Sequence, residues 1–143
     1  MAREMISQGI GTFEWTEQHY HNNDVKTRFV DALFRNAWDE IEPLVHPDFE
    51  LREPAALAYG GIYKGIDGFK ECWELIPQVG HKTTHLTTLR NHFSADPDSI
   101  VVELETAGVH NETGKEFSSK VMEQFEFKDR LVIAIVLYWF DIP

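Results

Sequence analysis

The order of patterns along the chain predicts an α+β fold: a cone-shaped, curved antiparallel β-sheet packed against three N-terminal helices around an internal cavity. Three observations carry this expectation. Helix-period stripes occupy the first half of the chain, while strand-period alternation fills the second. The strands are separated by short turn signals, as in successive hairpins. The final run, Leu131 to Phe140, is apolar on both faces, which assigns it to the middle of the sheet or beneath a subunit partner.

Each element has its own signal. Residues up to Asn22 hold no sustained period and read as an N-terminal arm, 1–22, ahead of a single-domain core, 23–143. Asn22, Asn23 and Asp24 offer oxygens to cap a first helix with Val25, Phe29, Ala32 and Leu33 on one stripe. A second, short helix carries Trp38, Ile41, Leu44 and Val45, with Pro43 weakening its middle. Phe49 to Glu53 alternates and Pro54 ends it; Tyr59-Gly60-Gly61 then turns the chain. Asp67 is placed to cap a third helix bearing Phe69, Cys72, Trp73 and Ile76, closed by Pro77 and Gly80. Four strands follow: Thr83 to Phe93, Ile100 to Thr106, Ser119 to Phe127, and Leu131 to Phe140.

Composition narrows the function. At 143 residues the chain makes one domain with a substantial core. Thirteen basic against 24 acidic residues leave a net charge of −11, which repels nucleic acid and anionic membrane surfaces. The lone cysteine, Cys72, fits a reducing compartment, and its place on a helical stripe makes it a packing residue. No signal-peptide core precedes the domain and no apolar run is long enough to span a bilayer, so a cytoplasmic protein is expected.

The chemistry begins with two carboxylates in the wrong phase. In Phe49-Glu50-Leu51-Arg52-Glu53 the inward set is Phe49, Leu51 and then Glu53. In Val121-Met122-Glu123-Gln124-Phe125 it is Val121, Glu123 and Phe125. An ionised carboxylate in an apolar site costs several kcal/mol unless it keeps its proton. Such a group can take a proton from carbon or donate a hydrogen bond to a developing enolate. Two bland alternatives stay open: a bulge that turns Glu123 to water, or pairing with Arg52, Arg90 or Lys120. The side chains expected to line a substrate pocket are Phe29, Tyr59, Tyr63, Trp73, His85, Phe125 and Trp139. His81 and His85 have a zinc spacing only on a helix, and Thr83-Thr84 makes the region strand, so no metal is expected.

The segment from Phe49 to Pro54, followed by Leu57 to Phe69, resembles the SnoaL-like branch of the nuclear transport factor 2-like proteins. That superfamily includes polyketide cyclases and ketosteroid isomerases. The likeness runs from Asp24 to Asp141 and includes Phe125 to Val132, with Arg130 where the family's turn has glycine. It implies that Glu53, before Pro54, stands where the isomerases keep their aspartate base. Glu123 stands where they keep a protonated acid on the oxyanion. Phe29 occupies the first-helix position of their oxyanion-donating tyrosine. No Arg-x-Asp pair of the superfamily's epoxide hydrolases occurs in the sequence. The resemblance therefore implies a cofactor-free general acid–base enzyme of isomerase, cyclase or dehydratase type. Its partners would be a small hydrophobic carbonyl compound and a second copy in a homodimer. A non-catalytic small-molecule binding or assembly domain with the same cavity is the alternative.

Overall fold

The computed structural model describes residues 5–7 and 12–141, with side chains from Phe13 to Asp141. A short hairpin, β1 (Met5–Ser7) with β2 (Thr12–Glu14), leads into α1 (Glu17–Phe34). Then come α2 (Trp38–Ile41), a 3-10 turn (Glu42–Leu44), β3 (Val45–Glu53), β4 (Gly61–Lys64) and α3 (Gly65–Val79). Four long strands complete the chain: β5 (His81–Phe93), β6 (Ser99–His110), β7 (Glu116–Lys128) and β8 (Leu131–Trp139).

Six strands form one curved, unclosed sheet in the order β4-β3-β8-β7-β6-β5. The expected all-antiparallel sheet needs one correction, because β3 and β8 run parallel. Hairpin signals report only strands adjacent in sequence. The β5–β8 meander returns its last strand beside β3, and no local pattern encodes that pairing. β8 is central, as its two apolar faces require. Register irregularities in β5 between Thr83 and His85 and between Thr88 and Arg90 interrupt its pairing with β6, as bulges that curve a sheet do.

α1 begins earlier than the sequence suggests, so residues 17–22 are helix and not arm. Thr16 is the N-cap: its hydroxyl accepts the His19 backbone N–H at 3.4 Å, and His19 Nδ1 accepts the Thr16 N–H at 3.0 Å. Histidine thus takes the place of the glutamate that completes a usual capping box. The Nε2–H of His19 then donates to Ser94 O at 2.8 Å. Asn22, expected as the cap, is buried inside the helix and donates to Pro97 O at 2.8 Å and to Asp98 at 3.1 Å. Asp67 is likewise not a cap. It lies in the first turn of α3, where the helix dipole favours a carboxylate.

The helices cover the concave face of the sheet. Phe29 of α1 meets the rings of Phe69 (α3) and Phe125 (β7) edge-on, each with centroids 5.6 Å apart. Tilted and edge-on pairs of this kind add to the area that the rings bury. This aromatic centre forms the floor on which the cavity rests.

Candidate active site

Above that floor, α1, α3 and the concave sheet face enclose a cavity with about 70 Å³ of space for water-sized molecules. Its wall is mostly apolar, with Phe29, Leu33, Phe69, Trp73, Ile76, Leu104, Ile135 and Leu137 among the lining residues. Its ionisable side chains are Glu53, Glu123, His81 and the thiol of Cys72, and among the described residues no lysine or arginine lines it. The mouth lies toward Phe34 and Thr83, which line the cavity yet are solvent-exposed.

Strand pairing explains how both glutamates reach it. Arg52 pairs with Val136 in the parallel ladder, so Glu53 continues beside Leu137, and Leu137 pairs on its other side with Glu123. Leu137 thus separates the glutamates in one cross-strand row, with their backbones roughly 10 Å apart at two strand spacings. The β6–β7 ladder is unbroken past Glu123, from Ser99↔Glu126 to Val109↔Glu116, so no bulge turns that side chain to water. Two of the three suggested counter-ions are engaged elsewhere, Arg52 with Glu50 at 3.0 Å and Lys120 near Glu103 at 3.9 Å, and the third, Arg90, does not line the cavity.

Burial sets the proton affinities. Glu53 is 7% exposed, and desolvation pushes its carboxyl up to about 8, with the nearby Glu123 charge adding to the shift. The indole N–H of Trp139 donates to Glu53 Oε1 at 3.3 Å and pulls the other way. Desolvation raises Glu123 to about 7. Two carboxyls that feel each other lose their protons in two shared steps. The two midpoints belong to the pair and not to either residue.

Of the residues expected to line the pocket, Phe29, Trp73 and Trp139 do so. Four do not. Phe125 is fully buried beneath the lining, against Phe29. Tyr59 is 1% exposed behind the wall, and Tyr63 turns away to donate to Tyr59 O at 2.9 Å. His85 is exposed because the Thr83/His85 register shift moves it out of phase.

His81, ahead of the shift and in phase with Thr83, lies inside. It is 3% exposed, lines the cavity and lies edge-on to Tyr59 and Trp139, with centroids at 5.8 and 6.0 Å. Burial, and after it the charge of His110, lowers its proton affinity, so it stands as a neutral imidazole. In the sequence it was weighed only as a zinc partner of His85. Cys72 is pushed up to about 12 by burial, as befits a packing thiol. Among the described residues no three His, Cys, Asp or Glu side chains form a group able to hold a metal ion.

A helix-covered cone with two protonatable carboxyls on the wall of an apolar hollow defines a cavity-bearing α+β domain. The chain belongs to the SnoaL-like domain family, whose model matches residues 27–135. Solved structures with the same fold include an NTF2-like protein of unknown function from Burkholderia pseudomallei. It is 15% identical, with a TM-score of 0.72 over 83% of this chain and 90% of that one. A Silicibacter protein provisionally described as a polyketide cyclase is 18% identical, with a TM-score of 0.66 over 83% and 88% of the two chains. TerC, co-crystallised with polyporic acid, is 17% identical, with a TM-score of 0.71 over 83% and 91%. No curated protein matches the chain.

Proposed function

We propose that this protein is a cofactor-free general acid–base catalyst acting on a small, uncharged, hydrophobic carbonyl compound. The observation that carries the reading is the pair Glu53 and Glu123, desolvated on one cavity wall with proton affinities raised into the neutral range. Near neutral pH such a pair holds about one proton, so one member is a base while the other is an acid.

On this reading the ionised member of the pair, assigned here to Glu123, takes a proton from the carbon next to the substrate carbonyl. The C–H electron pair becomes the new C=C bond, and the carbonyl π pair moves onto oxygen. Glu53, still protonated, donates its hydrogen bond to that oxygen and fills the role that a phenol at Phe29 cannot. Trp139 bonds Glu53 Oε1 and leaves Oε2 for the proton. Returning the proton to a different carbon gives isomerisation; attack of the enolate on a second carbonyl gives ring closure. The apolar wall, free of cationic side chains among the described residues, favours an uncharged substrate. The polyketide cyclase description of one structural relative and the polyporic acid complex of another are in keeping with a carbonyl-bearing ring compound.

The test is deuterium exchange at the α-carbon of a panel of small cyclic ketones. Exchange is expected with the wild-type protein and is lost in Glu123→Gln, with a large decrease in Glu53→Gln. Binding of the ketones without exchange in the wild-type protein would instead identify a non-catalytic binding domain.

A further inference from the structure

We propose that His81 anchors a second polar group of the substrate, a hydroxyl carried away from the reacting carbonyl, so that the preferred ligand is a hydroxylated ketone. The anchor is a buried side chain with nothing in the protein to bind. His81 is 3% exposed, and among the described residues its ring nitrogens make no hydrogen bond. They are not sealed off, as the unpartnered Tyr59 hydroxyl is; the space they border is the cavity. A buried polar group without a partner is costly and uncommon, so an imidazole kept in this wall calls for a ligand atom.

The ring is fixed by its neighbours. Phe117, Tyr59 and Trp139 all meet it edge-on, with centroids at 4.9, 5.8 and 6.0 Å. Phe117 is itself seated over Gly108, its partner across the β6–β7 ladder, where a Cβ would stand 3.0 Å from Phe117 Cε1. Edge-on contacts of this kind hold the plane of the imidazole. Burial, and after it His110, keeps the ring neutral. A neutral imidazole offers one N–H donor and one bare nitrogen acceptor. That complements a hydroxyl, which also gives one hydrogen bond and takes one.

The anchor stands apart from the carboxyl pair. Along the inward face of β7, Glu123 is followed by Val121, Ser119 and then Phe117, whose ring meets His81. Among the described residues no hydrogen bond or ion pair joins His81 to either glutamate. Trp139 borders both places, donating to Glu53 Oε1 at 3.3 Å and lying edge-on to His81. Thr83 and Thr106 line the same cavity, on the β5–β6 ladder that begins at His81↔His110 and continues through Thr83↔Gly108 to Leu86↔Thr106. One side of the hollow thus carries carboxyls, and the other an imidazole and hydroxyls. A ligand with an oxygen at each end fills both.

This inference rests on the reading of the cavity as the site of a carbonyl compound, but its test needs no turnover. The probes are matched pairs: 4-hydroxycyclohexanone against 4-methylcyclohexanone, and 6-hydroxy-1-tetralone against 6-methyl-1-tetralone. Hydroxyl and methyl differ little in size, so each pair isolates the hydrogen bond. NMR titration should favour the hydroxyl member of at least one pair by roughly threefold to tenfold. The same ligand should move the ring-nitrogen shifts of His81. In His81→Phe the preference should vanish while the methyl ketones still bind. Equal affinities within both pairs, or unmoved His81 nitrogens, would overturn the proposal, and the nitrogen shifts decide it should the variant fail to fold. Deuterium exchange on the same ketones reports separately on the carboxyl pair. Exchange without a hydroxyl preference removes the anchor alone, and a preference without exchange removes catalysis alone. A protein that binds none of the four contradicts both.

Discussion

Trp139 and Glu53 meet from two strands that run in the same direction, the indole N–H of one donating to Oε1 of the other at 3.3 Å. The parallel pairing of β3 with β8 therefore does more than close a gap in the sheet. It delivers a donor to a carboxyl that burial would otherwise hold protonated over an even wider range.

Trp139→Phe tests that donor. The ring volume is largely kept while the N–H is lost, so the upper apparent pKa of the pair, about 8 in the wild type, moves up. The expected rise is roughly half a unit to one unit, since a long hydrogen bond to a charged group has a modest value. A pH profile of exchange or an NMR titration reads it, and an unchanged upper value would remove the tryptophan from the site.

Glu53→Gln should stabilise the fold in a pH-dependent way. A carboxyl raised from 4.5 to about 8 on folding adds stability below pH 4.5, which is lost as pH rises through 8. The variant is therefore close to wild type in stability at about pH 5 and more stable by up to about 4 kcal/mol at about pH 9. Chemical denaturation at the two pH values measures the difference.

Lys26 on α1 is 5% exposed, and its ammonium donates to Asn91 Oδ1 at 3.1 Å. Burial lowers its proton affinity, so the charged form costs stability below the folded pKa, and that cost fades toward the ordinary lysine value. Lys26→Met should be neutral or stabilising by about 1 kcal/mol near neutral pH, with the advantage shrinking as pH approaches about 10. Melting curves across that range would show the trend.

Asn36 closes α1 in the left-handed region, at φ 53°, and its Oδ1 accepts the Trp73 indole N–H at 3.0 Å. Asn36→Ala loses both the tolerance for that conformation and the bond, for about 1–2 kcal/mol in total. Asn36→Gly loses only the bond and should melt above the alanine variant. Equal melting temperatures for the two would show that the backbone conformation carries no cost here.

Much of this was legible because strand phase is local. Period two placed Glu53 and Glu123 inward, and Pro54 and the Tyr59-Gly60-Gly61 turn marked where β3 ends. What escaped was set by tertiary structure or by unusual chemistry. The parallel β3–β8 pairing joins segments about 80 residues apart, beyond the reach of any turn signal. The start of α1 was hidden because His19 takes the capping role that a sequence pattern assigns to glutamate. His85 was expected inside because one extra residue at the β5 bulge cannot be seen in an alternation count, and that residue exchanged it for Leu86. The size of the shift in proton affinity depends on burial depth, which periodicity does not contain.

The central claim is that two glutamates on one cavity wall share a proton at neutral pH. Site-resolved titration of the glutamate side-chain carboxyls in the wild-type protein tests it most directly. The account predicts two apparent midpoints, at about 7 and about 8, both assigned to Glu53 and Glu123. Two midpoints at the ordinary glutamate value, with both groups ionised throughout the neutral range, would contradict it.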